Sequence, residues 1–147
     1  MRGPLMLPFA SMRTNLSDRS DLGRELRGQL VASGVRLEGP SAPAGQPMPR
    51  VDVVMDVLAE QRERIVVGMT STGQINEVEL RLHFRFRVRT PAGRDLIPET
   101  ELVQEREQSY NEALVIGKDA EEQLLFRDMQ ADVVRQVMRR LSAIKGL

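Results

Sequence analysis

"ELRLHFRFRVRT", residues Glu79–Thr90, is the stretch on which the fold turns. From Val78 to Val88 every second residue is apolar: Val78, Leu80, Leu82, Phe84, Phe86 and Val88. Between them stand Glu79, Arg81, His83, Arg85 and Arg87, and Arg89 follows. Alternation with a period of two predicts a strand with one buried face and one charged face. The strand is expected from about Ile75 to Thr90. Upstream, "TSTGQ" (Thr70–Gln74) predicts a turn around Gly73, and "RVDVVMDVLAEQRERIVVG" (Arg50–Gly68) a long strand before it. There Val51, Val53, Met55 and Val57 share one face, and Asp52, Asp56, Glu60, Arg62 and Arg64 fall mostly on the other. Downstream, "TPAGRDLIP" (Thr90–Pro98) predicts the next turn and "ETELVQEREQS" (Glu99–Ser109) the last strand.

Outside this meander the period changes. Leu22, Leu26 and Leu30 recur every four residues, one face of a helix. Ser20 or Ser17 is positioned to cap its start, and Gly34 suits the left-handed residue past its end. Gly23 and Gly28 weaken it, by about 1 kcal/mol each relative to Ala. Before it, "LMLPFASMRT" (Leu5–Thr14) predicts a short strand in which Pro8 marks a start, a bulge or an edge. After it, Pro40, Pro43, Pro47 and Pro49 make Glu38–Pro49 a surface loop. The chain closes on a long amphipathic helix, roughly Lys118 to Ile144. Its stripe is Leu124, Leu125, Met129, Val133, Val134, Val137, Met138, Leu141 and Ile144. The expected fold is α/β of the α+β type, ordered β-α-β-β-β-α. A four-stranded, mostly antiparallel sheet carries two amphipathic helices on one face, and the charged comb lies on the other. Residues 1–147 are expected to form one domain.

Composition narrows the function. The 147 residues hold 21 basic and 21 acidic side chains, a net charge of zero. That balance argues against a dedicated nucleic-acid binder. Phe84 and Phe86 point to the core rather than alternating with arginine on one surface, as base stacking requires. Cysteine is absent, which excludes disulfides and thiolate chemistry, and the single histidine, His83, argues against a His-clustered metal site or a Ser-His-Asp triad. No Gly-rich phosphate loop, zinc-protease signature or nucleophile elbow occurs. These features predict a protein that is not an enzyme and takes no cofactor. No apolar run is long enough for a transmembrane helix, and no signal peptide precedes "RGPLMLPF" (Arg2–Phe9).

The comb has candidate partners within the chain. If the turn at Gly93 pairs Arg89 with Glu99, then Arg87 meets Glu101, His83 meets Glu105 and Arg81 meets Glu107. Asp52, Asp56 and Glu60 flank it from the preceding strand. Each opposite-charge pair contributes about 0.2–1 kcal/mol. In that register Arg85 faces Val103 and is the least paired, hence the comb member expected to reach outward.

The last third, "ALVIGKDAEEQLLFRDMQADVVRQVMRRL" (Ala113–Leu141), resembles the C-terminal segment of the lipopolysaccharide-assembly lipoprotein family, LptE (RlpB). The residues that carry it are Ala113, Leu114, Lys118, Asp119, Glu121, Asp128, Met129, Gln136, Val137, Arg139, Arg140 and Leu141. "LGRELRGQLVASGVRL" (Leu22–Leu37) is similar to the family's first helix, and "PAGRDLIP" (Pro91–Pro98) to its hairpin before the last strand. The start at Arg2 resembles a mature member cut just after its lipidated cysteine.

The resemblance implies a non-enzymatic outer-membrane component on the periplasmic side, held by an N-terminal lipid anchor missing from this chain. It further implies a plug within the LptD β-barrel that binds lipopolysaccharide and promotes its assembly in the outer leaflet. A basic residue at the Lys118 position is associated in the family with lipopolysaccharide binding, so Lys118 is the first candidate; the bland alternative is a solvated loop lysine. Some members also place a basic residue in the turn between the second and third strands. Here Ser71 and Thr72 stand there, so Arg64 or a comb arginine, Arg85 above all, would have to substitute. Arg94 is the candidate partner contact. A soluble periplasmic interaction module without lipopolysaccharide binding is the alternative function.

Overall fold

The structure, a computed structural model, describes residues 6–109 and 117–147. The start at Arg2, the expected strand residue Leu5, and Ala113 and Leu114 lie outside the described residues. Seven elements follow in order: β1 (Ser11–Thr14), α1 (Asp21–Ala32), β2 (Arg36–Glu38), β3 (Val53–Met69), β4 (Ile75–Arg89), β5 (Asp95–Ser109) and α2 (Lys118–Ser142). They form one sheet in the order β2-β1-β3-β4-β5, with the two helices.

The expected mixed α+β architecture is present, with a fifth strand that the sequence reading missed. β2 is three residues long and parallel to β1, with Arg36 N–H donating to the Ala10 carbonyl at 2.9 Å. Three residues are too few to display alternation. β1 is also parallel to β3, through Met12 and Val53. The β3-β4-β5 meander is antiparallel. Both of its turns close on three residues ending in a left-handed glycine, Gly73 (φ 85°) and Gly93 (φ 101°). Only glycine adopts that conformation without a Cβ penalty.

One core joins the layers. Leu80, Leu82, Phe84, Phe86 and Val88 of β4 are wholly buried, together with Met12, Leu22, Leu26, Leu30, Met129, Val133, Val137 and Leu141. Ser20 caps α1, its Oγ accepting from Gly23 N–H at 3.0 Å, and Gly34 takes the left-handed conformation past its end. The stripe of α2 differs from expectation at three residues. Phe126 and Gln130 are buried, whereas Leu124 is 60% exposed.

The register of β3 changes the assignment of its charges. Val57 faces Phe86 and Ala59 faces Arg85, so Leu58 is an inserted residue. An inserted residue reverses the parity of everything beyond it. Glu60, Arg62 and Arg64 therefore stand opposite Phe84, Leu82 and Leu80, on the helix face, not beside Asp56 as expected. The helices answer them. Ser20 Oγ donates to Glu60 Oε1 at 2.9 Å, Arg62 lies over the Phe126 ring, and Arg64 Nε is 3.5 Å from Glu122. No helix among the described residues is long and apolar enough to cross a membrane.

Candidate functional site

The comb lies on the face away from the helices, and its own sheet neutralises it. The expected register is corrected by two residues up to Phe86 and by four at Arg89. Arg85 stands opposite Glu101, His83 opposite Val103, Arg81 opposite Glu105, and Arg89 opposite Asp95. Irregularities between Phe86 and Arg89 absorb the extra residues of β5, and alternation alone does not reveal them. Arg85 is consequently not the unpaired member: its Nε lies 3.3 Å from Glu99 Oε1. Arg81 reaches Glu79 at 2.9 Å and Glu105 at 3.6 Å. His83 sits between Glu101, at 2.9 Å, and Glu63.

Asp56 is the most heavily used acid on this face, with Arg87 Nε and Arg89 Nε each 3.0 Å from its Oδ2. Burial raises its pKa, but hydrogen bonds from Arg89 and Arg87, together with their charges, outweigh burial and hold it below the ordinary aspartate value. A depressed folded-state pKa gives stability that is complete above the unfolded value of about 3.9 and is lost as pH falls through the folded value. Asp56→Asn should therefore lower stability by about 1–2 kcal/mol at neutral pH. It should also flatten the acid limb of the stability curve below about pH 5. Urea midpoints from pH 7 to 2 check this; an unchanged acid limb would show that Asp56 does not couple to folding.

The three candidate site residues do not converge. Arg94 lies in the β4–β5 turn, where its Nη2 donates to the Gly146 carbonyl at 2.8 Å. Lys118 lies at the far end of β5, where its Nζ donates to the Ser109 carbonyl and contacts Glu121 Oε2 at 3.0 Å. The 14 steps from Asp95 to Ser109 span roughly 45 Å of strand. Nor is Lys118 a solvated loop lysine. Its side chain is only 13% exposed, and its carbonyl accepts from Gln108 Nε2 at 3.0 Å. It fastens the end of β5 to the start of α2.

The end of the sheet that holds Lys118 has a second property. Ser109 pairs with Glu77, and Glu77 with Gly68, so the β3–β4 hairpin tip lies at the same end. Val66, Val67, Met69 and Ile75 are exposed there, and Leu124 on the second turn of α2 is exposed as well. The sequence reading singled out none of these five as exposed. Alternation predicts which face a residue takes but not where the helices stop covering that face. Among the described residues, no group of three or more acidic or histidine side chains is arranged to hold a metal.

A family model for lipopolysaccharide assembly, LptE, matches residues 9–141. The chain belongs to the LptE family. No curated protein matches significantly by sequence. Among solved structures, a minor lipoprotein from Acinetobacter baumannii is 27% identical with a TM-score of 0.67, over 93% of each chain. An uncharacterized lipoprotein B from Nitrosomonas europaea is 24% identical, with a TM-score of 0.72 over 97% of this chain and 89% of that one. The rare lipoprotein B from Shewanella oneidensis is 19% identical, with a TM-score of 0.68 over 88% of this chain and 91% of that one. The last two share the fold. The LptE resemblance read from Lys118, Asp119 and the α2 residues that follow thus extends over nearly the whole chain.

Proposed function

We propose that this LptE-family protein is a non-catalytic, lipid-anchored component of the outer membrane that binds lipopolysaccharide and assists the LptD barrel in its assembly. The supporting observation is the pairing of a cation with an apolar surface. Lys118 sits at the end of the sheet where Val66, Val67, Met69, Ile75 and Leu124 are exposed. Lipopolysaccharide carries phosphates that an ammonium contacts and acyl chains that apolar side chains cover. Arg85 and Arg94 complete the reading. Arg85 meets a lipid phosphate or the barrel wall by exchanging Glu99 for it, and Arg94 contacts the barrel from the β4–β5 turn.

Glu121 holds the Lys118 ammonium and competes with a phosphate for it. Lys118→Gln should lower lipopolysaccharide affinity about tenfold, the loss of one charge-assisted contact. Glu121→Gln should raise it by releasing the lysine. Binding isotherms for both variants test the reading, and equal affinities for wild type, Lys118→Gln and Glu121→Gln would remove Lys118 from the site. Co-purification of the full-length, lipid-modified precursor with LptD tests the partner.

A second reading is a soluble periplasmic interaction module. It draws on β5, a 15-residue strand that stands at the edge of the sheet among the described residues. Partner capture by a protein that has no affinity for lipopolysaccharide would favour it.

A further inference from the structure

A cleft of about 260 Å³ opens between β3, the start of α1 and the middle of α2, lined by Asp21, Arg62, Gln123, Arg127 and Gln130. Arg62 reaches it only because the β3 bulge turns its side chain to the helix face. Its guanidinium carbon lies 4.9 Å from the centroid of the Phe126 ring, a stacking that orients the fork and leaves its N–H edges free to donate. Arg127 makes no hydrogen bond or ion pair among the described residues. Gln123, Arg127 and Gln130 follow the i, i+4, i+7 spacing of one helix face. Gln130 is only 4% exposed, and its side-chain amide belongs to the cleft lining. The amide opens into the cleft, where it offers two N–H groups to donate. The positive end of α1 adjoins the cleft through Asp21.

Asp21 is the one acid in the lining. Arg24 holds its Oδ1, and Arg62 Nη2 lies 3.6 Å from its Oδ2. The cleft therefore contains two guanidinium groups and an internal carboxylate that occupies one of them. A ligand must carry more charge than that carboxylate to displace it. A phosphate monoester does so, with about −1.5 to −2 charges and three strong acceptor oxygens. The volume lies below the roughly 300–1,000 Å³ of pockets that enclose a whole drug-sized ligand, so the cleft suits one charged group rather than a complete molecule.

We propose that Arg62, Arg127, Gln123 and Gln130 form a phosphate-binding site in which Asp21 is the placeholder that the ligand displaces. The site is separate from Lys118, which lies nine residues and about 13 Å before Arg127 on α2, with Gln123 five residues after it. The phosphate is carried by a glycolipid or is a free ion. Only the first source rests on the lipopolysaccharide-binding reading.

The test is an NMR titration of the isotope-labelled protein, following the Gln130 side-chain amide and the arginine Nε–H signals. The probes are inorganic phosphate, acetate at matched ionic strength, and lipopolysaccharide. Saturable shifts with phosphate but not acetate are expected. Arg127→Gln, at an exposed and unpaired position, should weaken phosphate binding about tenfold. Gln130→Leu should also weaken it, and Asp21→Asn should tighten it. Equal responses to acetate and phosphate, or unaltered affinity in Arg127→Gln, would overturn the proposal. If lipopolysaccharide moves the same Gln130 signals and phosphate competes with it, the source is the lipid. If lipopolysaccharide binds nowhere while phosphate still shifts Gln130, the site stands and the lipopolysaccharide reading falls.

Discussion

Phe84→Ala is expected to lower the unfolding free energy by about 3–5 kcal/mol, the usual loss when a buried aromatic is truncated. Phe84 is wholly buried, and its ring lies 5.6 Å from that of Phe86. Leu102 of β5 stands across the sheet from it, and the wholly buried leucines of α1 belong to the same core. No polar group at this position offsets the cavity. The adjacent Arg85 lies on the opposite face, half exposed and paired with Glu99, and Arg85→Ala should cost no more than about 1 kcal/mol. Native stabilities of about 5–15 kcal/mol leave the Phe84 variant marginal. Urea unfolding of both variants measures the contrast. Equal losses at 84 and 85 would mean that β4 does not separate a packed face from a solvated one.

Gly23→Ala and Gly28→Ala should move stability in opposite directions, although both replace glycine by the best helix former within the same helix. Gly28 has open space where a Cβ would stand, and its replacement should gain up to about 1 kcal/mol. A Cβ on Gly23 would instead run into the backbone carbonyl of Ser17, with its oxygen well inside contact distance and its carbon at 2.9 Å. Backbone cannot swing aside as a flexible side chain does. The turn that leads into α1 would have to shift, and with it the Ser20 cap and its bond to Glu60. Overpacking of this kind costs about 1–3 kcal/mol. Thermal unfolding of the two single variants decides it, and a stabilised Gly23→Ala would show that Ser17 yields freely.

The candidate site was partly legible in the sequence. The cation at Lys118 was marked by its place in a family-like segment, and the charged comb by strict alternation. Arg85 was misjudged because the two irregularities between Phe86 and Arg89 change every pairing beyond them, and composition carries no trace of a bulge. Arg62 and Gln130 were hidden for related reasons. Arg62 was assigned to the wrong face of β3, and Gln130 interrupts the apolar stripe of α2, where a polar residue is ordinarily taken for the solvent side. A buried glutamine beside a flipped arginine becomes visible only when strand and helix are placed together.

By itself the sequence determined the long meander, the two helices and the face of β4 that makes the core. Those rest on local periodicities of two and 3.6 residues, which sterics and the hydrophobic effect enforce without reference to distant segments. It also pointed to partners for the comb on the neighbouring strands, because Asp56 and the glutamates of Glu99–Glu107 stand in the segments that flank it. Tertiary structure alone decided which acid answers which arginine and where β3 changes face. It also decided that Lys118 bridges two elements, and that an otherwise weakening glycine at position 23 is required. Each of these depends on the approach of residues far apart in the chain. Their distances follow from bulges and from backbone contacts that no residue type announces.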